Sequence, residues 1–228
     1  MTAQPLERTT LARGALRLEP LRPDHLPALH RALARPEVFA GGWGGGAAAL
    51  TPERAADPDA FAAWFLDYVP HRAGLTYVVV RVPDGEPAVA LDAAPEVVGT
   101  TSYGHVDLAC ESLHVGWTAY APSVWGTTVN PACKLMLLEH AFASGFHRVQ
   151  IQADARNDRS RAAISRLGAT FEGVLRRTNP RADGTWRDTA VYSVLAPEWP
   201  AVEAGLRARL GEAPAAPTDR PAAPDGRP

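Results

Sequence analysis

The feature that most restricts the fold of this chain is a run of three strand-like segments that ends at a helix start. The segments read TYVVVRV, EVVGTTSYGHV and SLHVGWTAYA, and their β-branched and aromatic residues are typical of strands. Asn130-Pro131 follows, an N-cap residue with proline at the first helical position. The order predicts a sheet whose last strand in this run leads through a short loop into a helix.

Strand and helix patterns continue on both sides of this run. A strand is predicted over Ala15–Leu21, and helices are predicted in HLPALHRALA and AFAAWFLDYV. Downstream we predict a strand in HRVQIQAD, a helix in DRSRAAISRLG, two strands around the turn at 182–184, and a helix in PEWPAVEAGLRARL. The glycine-rich stretch GGWGGG is predicted to be a loop. The chain is therefore expected to be an α/β (α+β) protein with a mixed, largely antiparallel sheet.

Length and composition favour one domain with extensions. The chain has 228 residues, of which 46% are hydrophobic, which is enough to bury a full core. We expect an N-terminal extension over residues 1–14, the domain over 15–210 and a disordered tail over 211–228. The tail prediction rests on its proline, alanine and charged residues, which offer too little apolar surface to offset the entropy of ordering.

Charge and cysteine content exclude several classes of protein. A net charge of −2 gives no general attraction to nucleic acid or membrane. No segment reaches the roughly 20 apolar residues of a membrane span. Cys110 and Cys133 are too few for a disulfide framework, and the histidines show no metal-ligand spacing. We expect a cytoplasmic monomer or homodimer without a metal, nucleic acid or membrane partner.

The loop WGTTVN at 125–130 is the first candidate binding site. A strand, a short loop and a helix start bring unpaired backbone amides and the positive end of a helix together, which suits an anion such as phosphate. The loop contains one glycine, and taken alone it fits an ordinary strand-helix connection better than an anion site. The residues by themselves leave both interpretations open.

The longer context resembles the RimJ/RimL branch of the GNAT superfamily of N-acetyltransferases. The resemblance is carried by SLHVGWTAYAPSVWGTTVNPACKLMLLEHAF, by Asn157 and Ser160 at a helix start, and by the Arg-Leu-Gly-Ala-Thr-Phe-Glu-Gly passage at 166–173. It covers about residues 15–210. It implies a six- to seven-stranded sheet that is flanked by helices and splayed between its fourth and fifth strands.

The resemblance implies acetyl-CoA as co-substrate and assigns residues to it. Backbone amides of the loop would bind the pyrophosphate, the splayed strand would bind the pantetheine arm, and a side chain from the facing helix would contact the same arm. Trp125 and Thr128 stand where the family usually has a basic or amide residue and a glycine. A β-branched Thr128 tolerates a positive φ poorly. The implied cofactor-binding residues are Thr118, Ala119, Tyr120, Trp125, Gly126, Thr127, Thr128, Val129, Asn130 and Asn157.

Acetyl transfer to an amine needs a base, an oxyanion donor and an acid for the departing thiolate. His114 stands where many family members have a glutamate, and an ordinary imidazole pKa near 6.5 suits a base at neutral pH. Glu111, Glu96 or a water chain are the alternatives. The resemblance assigns the oxyanion donor to the Tyr120 amide and the acid to Ser160.

Trp43, Trp64 and Tyr68 are expected to line the acceptor side, with the glycine-rich loop mobile and Trp43 closing on the acceptor. The acceptor implied by the resemblance is a primary amine, on either a protein N-terminus or a small aminoacyl, nucleoside or antibiotic-like compound. The alternative function is a non-catalytic or regulatory CoA-binding module of the same fold.

Overall fold

Antiparallel pairing builds a single sheet in the computed structural model, which describes residues 3–82 and 95–213. Across these residues the sheet has eight strands in the order β1-β2-β3-β4-β5-β6-β8-β7. Every neighbouring pair is antiparallel except β5 and β6, which run parallel. The strands are β1 (Leu11–Arg13), β2 (Leu16–Pro20), β3 (Leu75–Arg81), β4 (Glu96–Asp107), β5 (Ser112–Tyr120), β6 (Arg148–Asp154), β7 (Thr170–Pro180) and β8 (Trp186–Leu195).

Helices cover both faces of the sheet. They are α1 (Leu26–Leu33), α2 (Pro36–Ala40), α3 (Pro52–Ala56), α4 (Pro58–Tyr68), α5 (Val129–Ala143), α6 (Asp158–Leu167) and α7 (Trp199–Arg209). Three of these helices, α2, α3 and α4, begin with proline, which is tolerated there because the first helical amides have no intrahelical acceptor.

Two hydrophobic cores lie on opposite faces of the sheet. On the α5 face, Leu113 and Val115 of β5 pack with residues of α5 and α7. On the α4 face, Phe61 and Phe65 pack with Val78 of β3 and with residues of α1 and α2. Because alternate strand residues point to opposite faces, His114 lies on the α4 face.

The sheet confirms the predicted mixed, largely antiparallel architecture, with one strand more than expected. Leu11–Arg13 forms β1, which pairs with β2, so the segment expected as an extension contributes to the sheet. Three residues are too short for a recognisable period. The predicted turn at 83–85 lies outside the described residues, as does most of the tail.

The glycine-rich stretch also differs from the prediction of a loop without regular structure. It forms two short 3-10 turns, Trp43–Gly45 and Ala47–Ala49. Trp43 is 9% exposed and packs among aromatic side chains of α2 and α4. Tertiary burial of one tryptophan therefore orders a segment whose glycines alone favour no conformation.

The parallel pair β5 and β6 separates along its length. Pairing runs from Ser112–Arg148 to Val115–Ile151 and ends there. Gly116 to Tyr120 therefore have no partner in β6, although β5 remains paired with β4 up to Tyr120. The result is a gap between β5 and β6 that opens towards the start of α5. These are the strands between which the resemblance placed the splay.

Candidate active site

A β-bulge shapes β5 at the point where the gap begins. Ser102 pairs with Gly116 and Thr100 pairs with Ala119, so two residues of β5 oppose one residue of β4. Trp117 has a φ of 49°, in the left-handed region that side-chain-bearing residues rarely adopt. Such a bulge re-aims neighbouring side chains: Trp117 lies against His114 on the α4 face, and the next residue points to the α5 face.

His114 is buried beside this bulge, with 6% of its surface exposed. Neither ring nitrogen has a hydrogen-bond partner among the described residues. The ring lies over Gly116, where an added Cβ would come within 2.4 Å of the imidazole Cε1. Glycine at 116 is therefore what makes room for the histidine.

The pKa of His114 is lowered to about 3, which corrects the expected value near 6.5. Burial is the main cause, because it disfavours the charged imidazolium, and the nearby His105, Lys134 and Arg187 add to the effect. The imidazole is thus neutral throughout the physiological range. The neutral imidazole can accept a proton at physiological pH, but its low pKa makes it a weak base.

Lys134 is a candidate functional residue that our sequence analysis missed. Lys134 belongs to the second turn of α5 and is 6% exposed. Its Nζ donates a hydrogen bond to Thr118 Oγ1 at 3.0 Å. Burial lowers its pKa to about 8. The sequence feature that could have indicated it is a single lysine within the apolar run PACKLMLL. Burying an unpaired ammonium costs free energy, so a lysine at a buried helix position is unusual.

The loop before α5 presents free backbone amides at the mouth of the gap. Gly126 takes the positive φ, 75°, whereas Thr128 has φ −74° and ψ −6°, which any residue adopts. The expected strain at Thr128 is therefore absent. Val129 N donates to Thr127 Oγ1 at 3.3 Å, whereas the amides of Gly126, Thr128 and Asn130 have no acceptor among the described residues.

Two indole groups satisfy carbonyls of the separated part of β5. Trp125 Nε1 donates to Tyr120 O at 2.9 Å, and Trp43 Nε1 donates to Trp117 O at 3.3 Å. Ala121 N donates to Val98 O of β4, so the Ala121 amide points towards β4. Since backbone groups of successive residues point to opposite strand edges, the Tyr120 amide points into the gap.

The same alternation corrects the expectation for Ala119. This residue pairs with Thr100 of β4, and its main-chain groups point to the same edge as the Ala121 amide. They face β4 and are directed away from the gap, so they are not positioned to bind the pantetheine arm.

Asn157 and Ser160 lie at the start of α6, opposite the loop. Asn157 Oδ1 accepts from Ser160 N at 2.9 Å, which is an N-cap. Its Nδ2 donates to Gly41 O. The neighbouring Arg159 stacks on Trp125, with 4.0 Å from its guanidinium carbon to the ring centroid. The start of α6 is thus tied both to the glycine-rich loop and to the loop before α5.

The residues expected on the acceptor side form one aromatic cluster on the α4 face. Trp43 contacts Trp64 and Tyr68 edge-on, with ring centroids 5.4 Å and 5.6 Å apart, and Trp64 stacks on Tyr68 at 5.4 Å. Gly45 O accepts from Ala182 N at 3.0 Å, so the β7–β8 turn packs on the glycine-rich loop.

The two glutamates considered as alternative bases lie away from the gap. Glu96 forms an exposed ion pair with Arg81 at the first residue of β4. Glu111 precedes β5, and its carboxylate lies 3.7 Å from His147 Nε2. Glu111 thus lies next to the N-terminal end of β5, the end that is paired with β6. In the ranges 3–82 and 95–213, no group of three metal-ligating side chains occurs and no helix is long and apolar enough to cross a membrane.

The sequence and the fold were compared with known proteins. A family model described as Acetyltransferase (GNAT) domain matches residues 15–170. The chain belongs to this acetyltransferase family. A search of curated protein sequences found no match.

Solved structures of GNAT-type acetyltransferases share the fold. A T. thermophilus protein assigned as an acetyltransferase is 33% identical over 92% of this chain and 100% of its own, with a TM-score of 0.72. Mycobacterium smegmatis RimJ in complex with CoA-disulfide is 24% identical over 90% and 94% of the two chains, with a TM-score of 0.66. The microcin C7 self-immunity acetyltransferase MccE, in complex with acetyl-CoA and AMP, is 17% identical over 80% and 93%, with a TM-score of 0.61. The last two likenesses concern the fold alone.

Proposed function

We propose that this GNAT protein is an acetyl-CoA-dependent N-acetyltransferase of the RimJ/RimL-like branch that acts on a primary amine. The observation that carries the proposal is the gap between β5 and β6, which opens onto the free amides of Gly126, Thr128 and Asn130. Backbone donors at the N-terminus of a 15-residue helix suit the pyrophosphate of CoA.

The pantetheine arm would lie along the separated part of β5, from Gly116 to Tyr120. The amide of Tyr120 points into the gap and is the proposed donor to the thioester oxygen. We propose that Asn157 and Ser160, at the start of α6, lie next to this position. Ser160 is a half-buried residue and is the proposed proton donor to the departing thiolate.

In the proposed reaction the amine nitrogen attacks the thioester carbonyl carbon, a C–N bond forms and the C–S bond breaks. The nitrogen loses a proton to His114, directly or through water, and the CoA sulfur gains one from Ser160. His114 then releases its proton to solvent and Ser160 takes one from solvent, so both side chains return to their starting state. His114 is too weak a base to deprotonate a free ammonium. We therefore propose that the acceptor binds as the neutral amine, because the proton that leaves after attack is acidic enough for a weak base.

A non-catalytic CoA-binding module is the second candidate, and the low basicity of His114 favours it. Mass spectrometry separates the two. The purified chain is incubated with acetyl-CoA and a panel of small amines and N-terminal peptides. An enzyme produces acetylated amine in proportion to the amount of protein, whereas the module binds CoA and leaves the amines unmodified. Action in the cytoplasm as a monomer or homodimer remains part of the proposal.

A further inference from the structure

An arginine that forms no ion pair with any residue in the described part of the chain lies on the α4 face of the sheet, the face that carries His114. Tyr192 of β8 belongs to the core on the α5 face, so Arg187, five residues earlier, points to the α4 face. Arg187 comes two residues before Thr189 in β8, and Thr189 pairs with Asp154, the last residue of β6. Because β6 and β8 are antiparallel, Arg187 lies past the end of β6. Arg187 is therefore placed at the open end of the gap.

The guanidinium of Arg187 makes no hydrogen bond or ion pair with any described residue, and its Nε is buried. Burial lowers its pKa from the ordinary value. Asp154 acts on it electrostatically, but that carboxylate is bound by Arg181, with Nη2 2.7 Å and Nε 3.1 Å from Oδ2. Asp154 Oδ1 also accepts from Arg181 Nη2 and from Arg156 N. The Asp154 carboxylate, which acts on Arg187, is thus bound by other groups.

Two positively charged side chains, Lys134 and Arg187, also act on His114. An acceptor with only an ammonium group would be repelled from this end of the gap, whereas an acceptor that carries its own anion would be attracted.

We infer that Arg187 forms an anion subsite of the acceptor cleft, so that the acceptor is a small amine carrying a carboxylate or phosphate group. The inference rests on the proposed function and names its substrate class. A guanidinium binds both anions through paired N–H donors. Trp64 and Tyr68 line the same face and suit the apolar part of such a molecule.

The kinetic test compares kcat/KM for an amino acid with kcat/KM for its primary amide, using alanine and phenylalanine, and includes their aminophosphonate analogues. Arg187→Met should lower the acid-to-amide ratio by about 10- to 100-fold, the loss expected for a hydrogen-bonded charge pair. Arg187→Lys should retain part of the ratio. Arg176→Met, an exposed arginine of the same hairpin, is the matched control and should retain all of it. Comparing ratios between variants cancels the different pKa values of the amines.

A binding test separates this inference from the proposed function. Calorimetry measures the Kd of N-acetylphenylalanine and of its amide in the presence of CoA. If the acid binds more tightly and Arg187→Met removes the difference, the subsite stands even if no amine is acetylated. If amides, or peptides with neutral N-terminal residues, are acetylated as well as acids and Arg187→Met affects all of them equally, the subsite is overturned and the enzyme remains. No Arg187-dependent discrimination in either assay also overturns it. A preference confined to the phosphonate or to the carboxylate identifies the anion.

Discussion

The indole Nε1 of Trp43 donates a hydrogen bond to the carbonyl oxygen of Trp117 at 3.3 Å. This contact joins the glycine-rich loop to the bulge that positions His114. The loop was expected to be mobile with Trp43 free to contact the acceptor. In the structure Trp43 is buried, and its indole is hydrogen-bonded to the strand carbonyl of Trp117.

Replacing Trp43 with phenylalanine should therefore loosen the bulge while keeping most of the aromatic packing. The change removes one hydrogen-bond donor, worth about 1 kcal/mol. We expect KM for the acceptor to rise several-fold and KM for acetyl-CoA to rise less, because the bulge faces the acceptor side. Steady-state kinetics with each substrate varied in turn measures both, and equal changes in the two KM values would contradict this role.

The free amide of Thr128 should contribute directly to CoA affinity. Thr128→Pro removes the amide at a φ that proline accepts, and Thr128→Ala is the matched control because it removes only the side chain. We expect the Kd of CoA to rise about 10-fold or more for proline, as for the loss of a hydrogen bond to a charged group, and little for alanine. Calorimetry gives both values. If the two variants bind alike, the amide is not a phosphate ligand.

Lys134 should reduce stability at neutral pH. Its folded-state pKa of about 8 lies below the ordinary 10.5, so below pH 8 both states carry the proton and the full cost of the buried ammonium is present. Between about pH 8 and 10.5 the unfolded state keeps the proton that the folded state has lost, and stability from this group rises with pH.

Lys134→Met should accordingly raise the free energy of unfolding at pH 7 by roughly 2 kcal/mol. Thr118 Oγ1 keeps its bond to Thr101 Oγ1 at 2.8 Å, so the strand retains a polar contact. Urea unfolding of both proteins at pH 7 and pH 10 measures the difference, which should shrink at the higher pH. A variant that is less stable than the parent at pH 7 would show that the lysine contributes a net stabilising contact.

His114 should act as a base without leaving its own pKa in the pH profile. An imidazole with a pKa of about 3 is neutral from pH 5 to 9, so kcat/KM should fall at low pH only because the acceptor amine becomes protonated. Two acceptors with different amine pKa values should therefore give acidic limbs that differ by the same amount. A limb near 6.5 that is common to both acceptors would contradict this.

His114→Phe keeps the ring volume and removes both nitrogens. We expect kcat to fall by roughly 10²-fold, the usual contribution of a general base, with the Kd of CoA nearly unchanged because the loop amides remain. A phenylalanine variant with the kcat of the parent would assign the proton to water instead.

The alternating elements from β3 to α6 were readable from the sequence because each has a clear period or a cap, such as Asn157 before α6. β1 and the 3-10 turns around Trp43 were not, since both depend on tertiary contacts. The position of His114 came from the family resemblance, whereas its low pKa depends on how deeply the bulge and Gly116 bury it. Sequence alone could not show that Arg181 binds Asp154, so that this carboxylate forms no ion pair with Arg187.

We propose that an acetyl group passes from acetyl-CoA to an amine at the gap between β5 and β6. The most direct measurement is the initial rate of free-thiol release from acetyl-CoA, with and without a panel of primary amines, for the parent and for Thr128→Pro. We expect release that depends on an amine and is lowered in the proline variant at subsaturating acetyl-CoA. Release that no amine accelerates, by a protein that still binds CoA, would contradict it.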